Sequence, residues 1–139
     1  MSIFIGTKKD FKKFFDGYCK QKVATMTKKE KIFYDNTCQY CGEKQKELDA
    51  AHVNGQERST IIFNILDNTF RVGENEYKVD LDQFTKIYEE AHTPIEEKFH
   101  FLCKNCHRRY DKKEISEIQM AERKLVFLKS MLAKIRQKE

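Results

Sequence analysis

The chain has 139 residues, 40% hydrophobic and 35% charged, which fits one domain with a modest core. No apolar run approaches the ~20 residues of a membrane span, and the stretch SIFIG is too short for a signal-peptide core and has lysines after it rather than before. These features argue against secretion and membrane insertion, and point to an intracellular, cytoplasmic protein.

The net charge of +5 is unevenly spread. Residues 1–31 carry +6, residues 43–97 carry −7 and residues 98–139 carry +7. Basic ends around an acidic middle suit a polyanion, and they equally suit lysines solvating amphipathic helices. Four of the five cysteines form two Cys-x-x-Cys pairs, Cys38/Cys41 and Cys103/Cys106, and Cys19 stands apart. In a reducing compartment such pairs indicate metal rather than disulfides.

In chain order, residues 7–22 place Phe11, Phe14, Phe15, Tyr18 and Cys19 at helical spacing, with lysines on the other face. A second short helix is expected over 27–35, opened by a capping box of Thr27 and Glu30. CQYCG, 38–42, reads as a metal-binding turn in which Gly42 gives the backbone freedom to bend. Residues 47–53 read as a short strand carrying Asp49 and His52 on opposite sides. Residues 54–97 form an excursion of helix (58–70), hairpin (70–80, around residues 73–75) and helix (81–92), broken by Thr93-Pro94. The strand 98–103 and the helix 104–112 follow. Residues 114–137 are the clearest helix, with Ile115, Ile118, Met120, Ala121, Leu125, Leu128, Leu132 and Ile135 as a stripe. Burial of that stripe within the monomer is the expected arrangement, and pairing with a second copy is the other.

Two Cys-x-x-Cys turns can close a tetrahedral Zn²⁺ site even though 61 residues separate Cys41 from Cys103. With all four positions filled, the zinc would be structural. His107 follows Cys106 directly, and Asp111 lies at i+4 from it, so both share a helical face and can bind one divalent ion.

CQYCG, LDAAHV and FLCKNCH together resemble the zinc-bracketed HNH endonucleases of the ββα-metal fold, over residues 36–53 and 98–112. The resemblance implies an α+β fold: a ββα-metal core stapled by a structural zinc on the four cysteines. Around it would stand N-terminal helices (1–35), a helix–hairpin–helix insertion (54–97) and a long C-terminal helix (113–139). It implies a single-domain enzyme that cuts double-stranded DNA with Mg²⁺ or Mn²⁺, similar to restriction, phage or mobile-element nucleases. His52 matches the general base and His107 a metal ligand. Asp111 matches a further ligand and Asp49 an acidic position before the base. The chain departs from the family at Ala51, where many members carry a ligand, and at the middle Asn. Lys98 lies nearest that middle position and His100 is on the same strand face; either would orient the base or touch phosphate. Lys104, Arg108, Arg109, Lys112 and Lys113 surround the expected centre and, with Arg58, are candidate phosphate contacts. A palindromic target would call for a homodimer. A zinc-stapled nucleic-acid-binding module without catalysis is the alternative, and Ala51 favours it.

Overall fold

The computed structural model describes residues 2–137. The elements run β1 (Ile3–Gly6), α1 (Lys8–Phe33), β2 (Asp49–His52), α2 (Arg58–Ile65), a π-helical turn (Leu66–Phe70), β3 (Arg71–Gly73), β4 (Glu76–Asp80), α3 (Leu81–Ala91), α4 (Ile95–Lys98), β5 (Phe99–Leu102), α5 (Lys104–Asp111) and α6 (Glu117–Gln137). The fold is α+β, mainly helical, with small antiparallel sheets and a long C-terminal helix. Among the described residues no helix is long and apolar enough to cross a membrane.

The chain clusters into two compact units, one formed by the chain up to Met26 with His52–Phe99, the other by Thr27–Ala51 with the chain from His100 onward. In the first unit a three-stranded sheet has the order β1-β4-β3, with Ile3 opposite Asp80 and Gly6 opposite Tyr77. The 70–80 hairpin forms as expected, whereas β1 is a strand that the hydrophobic pattern of so short a stretch does not announce. The helical stretch expected over 58–70 divides into α2 and the π-helical turn. Asp80 starts α3 by accepting the backbone N–H groups of Asp82 and Gln83 at 3.0 and 3.2 Å. Phe84 and Tyr88 on that helix are buried, as is Phe11 of α1. Phe11 packs its ring at 4.9 Å from Phe84, 4.8 Å from Phe15 and 5.3 Å from Phe4. Phe14, one position off this stripe, is 66% exposed.

The two helices expected over 7–22 and 27–35 are one continuous helix of 26 residues. No Gly or Pro interrupts residues 23–26, so nothing stops the first helix before Thr27, and Thr27 is a buried interior residue rather than a cap. The helix ends where Asp35 and Asn36 adopt left-handed φ values of 54° and 50°, the conformation that short polar side chains tolerate.

β2 and β5 form a two-stranded sheet, and α5 begins two residues after the end of β5. Tyr34 packs against Phe101 and Phe127, ring centroids at 6.0 and 5.3 Å. The stripe expected at the C-terminal helix is buried only in part: Ile115 and Met120 are buried, and most of the rest is not. Met120 and Phe127 face the core, while Ile118 is 72%, Leu125 54%, Leu132 53% and Ile135 40% exposed.

Replacing a buried ring leaves a cavity its neighbours fill poorly, so Phe11→Ala is expected to lower stability by about 3–5 kcal/mol. Phe14→Ala should cost less than about 1 kcal/mol. Urea titration followed by circular dichroism separates the two.

Candidate metal centre and the histidines around it

The four cysteine Sγ atoms lie within 4.8 Å of one another. Cys41 Sγ and Cys103 Sγ are 3.9 Å apart, and no disulfide links any of the five cysteines. Among the described residues this is the only group of three or more His, Cys, Asp or Glu side chains that closes around one point. The first turn is built by backbone bonds: Cys38 N–H to Glu43 O at 2.9 Å and Gly42 N–H to Cys38 O at 3.0 Å. Gly42 takes the left-handed φ of 78° expected of it. Cys103 is the N-cap of α5, its sulfur accepting Cys106 N–H at 3.4 Å.

Burial pushes the Cys41 thiol up to about 11 and raises Cys106 as well. Burial also acts to raise Cys38, but the backbone N–H groups of Cys41, Cys103 and Tyr40 outweigh it and hold that thiol below its ordinary value. Four crowded thiols cannot all ionise without a cation among them. The set therefore fits a soft tetrahedral metal such as zinc, which can take four thiolates at once.

His107 sits on α5 immediately after this cluster. Its Nδ1 is 2.9 Å from Asp49 Oδ2, and its Nε2 is 3.3 Å from Asp111 Oδ2. A neutral imidazole has one N–H, so it can donate to only one of these carboxylates. The other nitrogen then faces a carboxylate lone pair to lone pair, an arrangement that a second ring proton or a bound cation would each relieve. Lys104 Nζ stands 3.6 Å from Asp49 and is 80% exposed. The three candidate ligands thus form a chain through the imidazole, with the carboxylates on opposite ring nitrogens.

His52 lies in the other unit's set of contacts. Its Nε2 is 3.3 Å from His92 Nε2, and its ring packs 4.7 Å from Phe99. His92, fully buried, places Nδ1 2.7 Å from the Tyr88 carbonyl. A carbonyl only accepts, so His92 Nδ1 carries the proton. Burial holds His92 below the usual imidazole range, the Tyr88 carbonyl opposing it and Lys98 adding to it. A neutral His92 therefore presents a lone pair at Nε2, and His52 must donate its Nε2–H. The lone pair of a neutral His52 is then on Nδ1. His92 is not among the sequence candidates. It continues the Phe84–Tyr88 row by another four residues, the signal that marks it as inward-facing.

The remaining candidates have definite places. His100 is 8% exposed, edge-on to Tyr110 at 5.1 Å, with Lys124 Nζ at 3.4 Å from Nδ1 and Glu117 at 4.0 Å from Nε2. Burial lowers it to about 4, with Lys124 lowering it further and Glu117 opposing. These contacts give it a packing role beneath α6. Lys98 donates to Gln56 Oε1 at 3.0 Å. Arg58 is tied to Asp16 of α1 at 3.2 Å, a structural bridge rather than an open phosphate contact. Arg109 is half-buried, its guanidinium 5.7 Å from the Tyr40 ring, which Arg123 also approaches at 5.5 Å. Arg108, Lys112 and Lys113 are exposed on and just after α5. Lys104, Arg108 and Arg109 line one groove beside the cysteines, which Lys46, Glu43 and Glu47 also line. Ala51 is buried and offers no ligand. No family model, curated protein or solved structure matches the chain.

Cys38→Ser is expected to lose stoichiometric zinc and to lower the melting temperature, since structural zinc affinity is folding energy. Elemental analysis with calorimetry reads both. His100 supplies a pH signature. Its folded value of about 4 lies below the unfolded ~6.5, so its contribution is present above ~6.5 and lost as pH falls towards 4. Wild type should lose on the order of 3 kcal/mol more than His100→Gln across that window, measured by denaturant titration at each pH.

Proposed function

We propose that the protein is a metal-dependent endonuclease acting on double-stranded DNA, with β2, β5 and α5 as a ββα-metal element and the four cysteines holding a structural zinc. The observation that carries this reading is the pair His107 and Asp111 on one face of the helix capped by a cysteine of the cluster, with His107 Nε2 3.3 Å from Asp111 Oδ2. The resemblance of CQYCG, LDAAHV and FLCKNCH to HNH nucleases adds to it.

Hydrolysis of a phosphodiester needs a water stripped of a proton and a counter-charge for the leaving 3′-oxygen. His52 would take the proton, through the Nδ1 lone pair that its contact with His92 leaves when the ring is neutral. His92 fixes that tautomer by accepting from Nε2–H, the orienting role for which Lys98 and His100 are the sequence candidates. His107 Nε2 and Asp111 are the pair that would hold Mg²⁺ or Mn²⁺, and Asp49 on Nδ1 holds the imidazole so that Nε2 carries the lone pair. An alternative keeps Asp49 itself as a ligand. When bound, the ion supplies positive charge to the leaving oxygen. Lys104, Arg108, Lys112 and Lys113 would contact phosphates and set the register of the duplex. The resemblance suggests a site-specific restriction-type enzyme, or a phage or mobile-element nuclease, as the form of this activity. The second reading, a zinc-stapled nucleic-acid-binding module without cleavage, is favoured by Ala51 and by the spread of Asp49 and Asp111 to opposite sides of His107.

Incubation with plasmid and linear duplex in Mg²⁺, Mn²⁺ or EDTA tests the two. Cleavage that needs the divalent ion is expected, falling about 10²–10⁴-fold in His52→Ala. His92→Ala should slow cleavage less and move the acid limb of the pH–rate profile, because the tautomer of His52 is no longer fixed. A protein that shifts DNA on a gel without cutting it in any divalent ion supports the second reading.

A further inference from the structure

Apart from Val126, the exposed large apolar residues of α6 fall in a regular pattern. Ile118, Ala121, Leu125, Leu128, Leu132 and Ile135 follow alternating steps of three and four, the a and d positions of a heptad repeat. Ile118, Leu125, Leu132 and Ile135 are 40–72% exposed, Ala121 is exposed and Leu128 half-buried. The seam runs about 25 Å along the helix. Met120 and Phe127 already serve the monomer core, so this seam is a second face of the same helix.

We infer that α6 pairs with α6 of a second copy of this chain, antiparallel, about a two-fold axis between residues 126 and 127. The seam is symmetric about that point. Ile118 meets the partner's Ile135, Ala121 meets the partner's Leu132, and Leu125 meets the partner's Leu128. Each layer sets an a residue against a d residue, and the small Ala121 stands against a large leucine. The charges beside the seam choose the direction. Antiparallel helices bring e positions together, which sets Glu122 against the partner's Lys129 twice over. Parallel helices would bring g against e, Glu117 against the partner's Glu122 and Lys124 against the partner's Lys129, like charge on like. The g side is also engaged within the monomer, Glu117 accepting the Tyr110 hydroxyl at 2.7 Å and Lys124 lying against His100. Glu122 and Lys129, on the e side, are exposed. The two-fold pairing is independent of the nuclease reading.

Sedimentation equilibrium of the zinc-loaded full chain at low salt is the test. Wild type is expected to dimerise below about 100 µM. Leu125→Lys should be monomeric with unchanged zinc content and circular dichroism, since the residue it replaces is exposed. Glu122→Lys and Lys129→Glu should each weaken the dimer about tenfold, and the double variant Glu122→Lys/Lys129→Glu should restore it. The proposal is overturned by a wild type that stays monomeric at that concentration, which leaves the seam to another partner. It is equally overturned by a Leu125→Lys protein that still dimerises, or by a Glu122→Lys protein that dimerises as tightly as wild type or more so. A tighter dimer there would mean parallel helices.

Discussion

Crowding of four thiols within 4.8 Å is the constraint on which the second unit depends. Ionised thiols at that spacing repel, so a cation that neutralised them would tie together two turns separated by 61 residues. The tie reaches further than the ligands. Cys103 caps α5 through its sulfur, so the cluster also sets where α5 starts and which way its first turn faces. His107 stands one residue beyond Cys106, and Asp111 one turn later. The positions of both are consequences of where the cysteines are held.

Three histidines show how environment divides one side-chain type among tasks. His92 is buried and locked by a carbonyl, which makes its outward nitrogen an acceptor. His107 lies between two carboxylates, one on each ring nitrogen. His100, buried under α6 beside Lys124, is held neutral well into the acid range and serves packing. The strand it occupies is buried at every position, so neither face of β5 points to open solvent.

Much of this is legible in the sequence wherever a local rule governs. The cysteine turn with Gly42, the 70–80 hairpin, α3 and α5 follow from spacing and capping. What is not legible depends on partners far along the chain. β1 exists because β4 pairs with it, and four residues carry no periodicity of their own. α1 runs through Thr27 because a capping-box pattern works only where the helix would otherwise stop, and nothing there stops it. His92 escapes notice because Ala91 satisfies the apolar pattern beside it. The stripe of α6 reads as core because hydrophobic spacing reports which residues share a face, not whether that face is covered by the chain's own body.

The segment 52–99 leaves and returns at neighbouring points. β2 and β5 pair with each other, and Val53 N–H donates to the Lys98 carbonyl at 3.0 Å across its base. The excursion is not free at its far end, however: β4 pairs with β1, and Phe84 of α3 packs on Phe11 of α1. A change in its contents is therefore felt by the first 26 residues of the chain, which share its unit, before it is felt by the two strands that frame it.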